Sequence, residues 1–169
     1  MSWRAEILPF IRQDKLYRDL KSGKFPPSQG GLERAWDRPA FLQVPFPVQW
    51  KSENPKEAWL TPYRVFVGKG TAFEKGTKIT LNDFLDGVAT TILVVDAADA
   101  VPWPKPDELE YDASKPLPRF SNRFPEGFYA LFADNTIRLI PANTSEQALR
   151  ALITRNGGEK VDLGPFLVQ

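Results

Sequence analysis

The chain has 169 residues, 42% of them hydrophobic and 25% charged, with a net charge of +1, a length and composition that suit one globular core and lie far from the disordered regime. It contains neither cysteine nor histidine, so disulfides, thiolate metal sites, thiol nucleophiles, imidazole-based hydrolysis and the usual zinc sites each lack a required part. The near-neutral balance argues against a whole-protein affinity for nucleic acid. Because the longest apolar runs are strand-sized, no membrane contact by this chain is expected.

Taken in chain order, Ser2 through Ile11 reads as a short helix with Ser2 as N-cap and Ile7, Leu8 and Ile11 on one face, interrupted at Pro9. A second helical stretch over Lys15–Leu20 should stop at Ser22-Gly23. Residues 22 to 62 look irregular, with one helix predicted after Asp37, where Pro39 sits in the first turn. Tyr63–Val67 reads as a strand closed by Gly68-Lys69-Gly70, a glycine segment too short for a phosphate loop. Thr80 caps a single helical turn that Gly87 ends. Thr91–Val95 is apolar on both sides of the pleat and is expected at the middle of the sheet.

The 16 prolines fall mostly between elements, and residues 100 to 119 form a proline-rich loop in this reading. Phe128–Phe132 and Thr136–Ile140 flank Asp134-Asn135, which predicts a hairpin with a type I′ turn. A C-terminal helix follows over 144–155, with Thr144 and Gln147 as a capping box, Leu149, Leu152 and Ile153 on one face, and Asn156-Gly157-Gly158 as its stop. Lys160–Leu163 is expected to close the sheet. Together these elements predict one α+β domain over residues 1–169: an antiparallel sheet packed with short N-terminal helices and one C-terminal helix, joined by long proline-rich loops.

Several of these blocks occur in a familiar order: Ser2-Trp3-Arg4 with Leu8-Pro9, Trp36-Asp37, Gly70-Thr71-Ala72-Phe73, Asp83 with Asp86-Gly87, Thr91–Val95, Val101-Pro102-Trp103, Leu131–Asp134 and Leu149–Arg155. The chain resembles a planctomycete type IV pilin-like family of unknown function, named for a His-x9-Asp-Gly motif. Phe124 stands at the histidine position and Asp134-Asn135 at the Asp-Gly. Val88-Ala89-Thr90 replaces a more polar run, and Asp96 replaces a glutamate. The resemblance implies the soluble part of a pilin-like protein, located in the cell envelope or otherwise outside the cytoplasm, with protein partners there. It implies no activity and no cofactor.

Three candidate site residues follow from the residues themselves. Asp83 and Asp86 open an acidic stretch that reaches Asp112, with Lys105 as its one basic residue. Such carboxylates can ligate Ca²⁺ or act as an acid–base pair on a glycoside. Their spacing matches no calcium loop, and the competing reading has them capping a helical turn. Trp103, between two prolines, is the best candidate for an exposed aromatic platform of a glycan- or peptide-binding module; alternatively, it pins its loop to the core. Residues 1–80 carry 14 Lys/Arg against 8 Asp/Glu, and residues 81–169 carry 8 against 13, a polarity that would permit head-to-tail self-association. The leading expectation is a non-enzymatic envelope module acting through protein contacts.

Overall fold

The computed structural model describes residues 2–22 and 59–168, the last two in backbone only. The predicted helix near Asp37 and the Trp36-Asp37 block lie outside those residues. Of the described residues, those up to Thr61 with Ala100–Asp107 form one compact unit, and Pro62–Asp99 with those from Glu108 onward form a second. The class is α+β, as the sequence predicts.

In the first unit, α1 (Trp3–Glu6) starts where the Ser2 hydroxyl accepts the Ala5 amide, which satisfies one of the donors a helix start leaves free. Pro9 does interrupt the helix: Leu8–Ile11 tightens into a 3₁₀ turn that Arg12 closes at φ 61°. The second helix, α2, spans Asp14–Ser22. Ala5, Leu8, Leu20 and Trp103 form a small core, with Ile11, Leu16, Tyr17 and Trp59 packed on it.

The second unit is built on β1 (Leu60–Arg64), which begins in the first unit, β2 (Phe66–Val67), β3 (Ile92–Pro102), which ends in the first unit, β4 (Leu109–Glu110), β5 (Gly127–Phe132), β6 (Ile137–Pro141), α3 (Glu146–Ile153) and β7 (Leu167–Val168). The main sheet has the order β1-β3-β5-β6-β7, with antiparallel pairing from β3 to β7, while β2 and β4 make a separate parallel pair. Its core holds Val95, Phe132, Ile140, Leu152 and Ile153, each worth about 1.5–3 kcal/mol of hydrophobic stabilisation on full burial. Phe120 stacks on Phe128 at 4.3 Å between ring centroids, a geometry that aromatic quadrupoles favour.

Long-range hydrogen bonding shifts several expected elements. The single strand expected over Tyr63–Val67 breaks at Val65, whose amide donates to Glu108 and whose carbonyl accepts the Leu109 amide, so the chain leaves one sheet for the other. The run from Thr91 is internal, but the central place belongs to β5, which pairs on both sides. After Val95, β3 leaves β5 and bonds instead to residues 119–121. It also extends to Pro102, shortening the expected loop, since a strand end needs no further donor.

The hairpin is present, but its turn differs from type I′. Asn135 alone has positive φ, at 66°, and the Asn135 amide donates to Phe132 while the Phe132 amide donates to Thr136. This is a three-residue loop ending in a left-handed residue. Ser145, not Thr144, caps α3 by accepting the Ala148 amide, because the Thr144 hydroxyl is committed to the Pro141 carbonyl. Residues 160–163 form no strand: Val161 and Leu163 pack on the core, and Leu167–Val168 supplies the pairing with β6.

Candidate functional site

Trp103 is not an exposed platform. Its indole is fully enclosed by the first unit's core, its amide donates to the Trp59 carbonyl, and its own carbonyl accepts from the Ser2 hydroxyl at 2.8 Å and Arg4 Nε at 3.0 Å. Burying so large an apolar surface is favourable once the polar backbone is hydrogen-bonded, so the pinning reading holds. The glycan or peptide reading loses its platform.

Asp83 and Asp86 lie on a connection over residues 80–91 that is wound by its own hydrogen bonds. The Asp83 carboxylate accepts both the amide and the hydroxyl of Thr80, each at 2.7 Å, and these bonds, Thr80's hydroxyl foremost, hold its pKa below the usual carboxylate range. A 3₁₀ turn, Leu81–Asp83, results. Gly87, at φ 104°, opens a second such turn over Val88–Thr90, where Thr90 and Thr91 hydroxyls donate back to the carbonyls of Asp86 and Gly87.

Asp86 ties this connection to the segment after α3. Its two carboxylate oxygens accept the amides of Gly157 at 2.6 Å and Gly158 at 2.8 Å, while its own amide donates to the Arg155 carbonyl. Arg155 in turn donates its amide to Gly70 and its Nη1 to the Thr71 carbonyl at 2.6 Å and to Glu74 at 3.0 Å. Glu74 also accepts the Gly70 amide, and that bond first, then Arg155, holds its carboxyl below the usual range. Three sequence-distant blocks, 70–74, 80–91 and 154–158, are thereby locked together.

The hairpin tip joins the same cluster, since the amides of Ala133 and Asp134 donate to Thr91 and Val88. Both predicted carboxylates are thus engaged in structural bonds: Asp83 caps its turn, as the capping reading had it, whereas Asp86 binds a distant segment that this reading did not foresee. Among the described residues, no group of three or more Asp or Glu side chains is placed to hold a metal ion.

On the locked connection Leu81 is 69% exposed and Leu85 is 77% exposed, alongside the polar Thr80, Asn82 and Asp83, which are exposed as well. Neither leucine was marked by sequence reasoning, nor was Arg155, which was assigned to the C-terminal helix. Two surface clefts, about 680 Å³ along α2 and about 540 Å³ beside α3, contain none of Trp103, Asp83 and Asp86. No helix among the described residues is long and apolar enough to cross a membrane. In comparisons with protein-family models, curated proteins and solved structures, nothing was found that matches this chain.

Proposed function

We propose that this chain is a non-enzymatic module that works by holding another protein, with Leu81 and Leu85 as its apolar contact. The observation that carries this reading is their exposure on a connection whose backbone is fixed by Thr80, Asp83, Asp86 and Arg155. Two leucines so exposed on one short connection are candidates for a contact that covers them in use. A pre-ordered loop also loses less conformational entropy on binding than a mobile one. The setting follows from the ordered blocks that resemble the pilin-like family: the partner is a cell-envelope protein offering an apolar recess.

The test compares wild type with the Leu81→Asp/Leu85→Asp double variant in the native host. With a photo-cross-linking residue at the exposed position 82 in both backgrounds, one discrete envelope adduct is expected where Leu81 and Leu85 are intact. The variant is expected to lose that adduct while keeping its melting temperature. A folded variant that cross-links as wild type does, or a catalytic turnover abolished by changing one carboxylate, would defeat the proposal.

A further inference from the structure

Asn156-Gly157 combines two residues whose order carries a known chemical hazard. The amide nitrogen of the residue after an asparagine can attack the asparagine side-chain carbonyl carbon. A bond forms from that nitrogen to Cγ, the Cγ–Nδ2 bond breaks, and ammonia leaves with the proton. Water then opens the cyclic imide at either carbonyl to give aspartate or isoaspartate. Glycine in the second position is the most permissive partner, because it has no side chain to hinder the approach and the widest backbone freedom. Asn156 is exposed to solvent.

The structure restrains the attacking nitrogen of this dipeptide and the backbone on either side of it. The Gly157 amide, which must lose its proton to become the nucleophile, donates it to Asp86 Oδ2 at 2.6 Å. A bond this short to a carboxylate is charge-assisted, and the negative charge beside it also disfavours deprotonation. The next amide, Gly158, is held at 2.8 Å by the other oxygen of the same carboxylate. On the other side of Asn156, the Arg155 amide donates to Gly70 and the Arg155 carbonyl accepts from Asp86. The backbone rotation that ring closure needs is therefore restrained from both ends.

We infer that Asn156-Gly157 is a latent deamidation site kept silent by Asp86. The site opens when the Asp86 clasp opens, and the new carboxylate at position 156 would then lie in a segment already facing Asp86. Like-charge repulsion would keep the clasp from reforming. The reaction is thus a one-way release of the 80–91 connection from the segment after α3. This inference is independent of what Leu81 and Leu85 contact.

The experiment follows isoaspartate and the amide-to-acid mass gain by peptide mapping of the full chain at mildly alkaline pH. Wild type, Asp86→Ala and Asp86→Asn are compared, with a short peptide spanning residues 153–160 as the unrestrained limit. Wild type is expected to deamidate at least about ten-fold more slowly than either variant, the factor a charge-assisted hydrogen bond gives against local opening. Equal rates in wild type and in folded variants would overturn the inference. If the variants do not fold, amide hydrogen exchange of Gly157 in wild type decides: protection like that of the sheet supports the clasp, and exchange at the free-peptide rate refutes it.

Discussion

Asp134 and Asp96 belong to the same unit, yet their surroundings move their acidities in opposite directions. Burial pushes Asp134 up, but the hydroxyl and amide of Thr136 and the Arg138 guanidinium outweigh it, and the carboxyl ends below its ordinary range. A depressed folded value gives stability that is present above the unfolded value of about 3.9 and lost as pH falls through the folded one. Asp134→Ala should cost about 1–3 kcal/mol at neutral pH in urea titrations, with the gap to wild type closing below about pH 3.9; a gap constant with pH would contradict this. For Asp96, 5% exposed in its side chain, burial dominates over Arg123 and Ser121 and raises the value, and its Oδ1 meets no hydrogen-bond partner. The sign reverses: its contribution is most favourable below about pH 3.9 and declines as pH rises through the raised folded value. Asp96→Asn should remove that decline, so thermal melts should show the variant gaining on wild type as pH rises, and parallel pH profiles would refute it. Asp134 was legible as turn chemistry because its partners lie within four residues. Asp96 was not, because its enclosure depends on Ser121 and Arg123, residues far along the chain.

At the scale of elements, local signals located most starts and stops, and the sheet decided the rest. Ser2 was readable as a cap because the bond it makes spans three residues. The capping of the C-terminal helix moved by one residue because Thr144 had a competing acceptor in Pro141, which the spacing of Thr144 and Gln147 does not reveal. Gly127 shows what pairing imposes on a strand that looks unremarkable in sequence. A Cβ there would run into the Ile140 carbonyl across the β5–β6 ladder, and its φ is 154°. Gly127→Ala should therefore cost about 1–3 kcal/mol or more, the usual penalty for overpacking without room to relax. Calorimetric unfolding should show this as a lowered midpoint, and an unchanged midpoint would mean that the ladder adjusts freely.

For the whole molecule, the sequence by itself determined the α+β class, the presence of the hairpin, the two short N-terminal helices, and the absence of thiol and imidazole chemistry. Those features depend on residue identity, on periodicity, and on hydrogen bonds closed within a few positions. Only the tertiary structure decided that Trp103 is enclosed, that β5 is central, that Leu167–Val168 makes the last pairing, and that Leu81 and Leu85 face outward. It also turned Asp86 from a candidate ligand into a clasp on amides 71 and 72 positions away. A carboxylate's role follows from which donors reach it, and donors so distant in sequence are brought close by burial of a shared core, a non-directional force that no local pattern encodes.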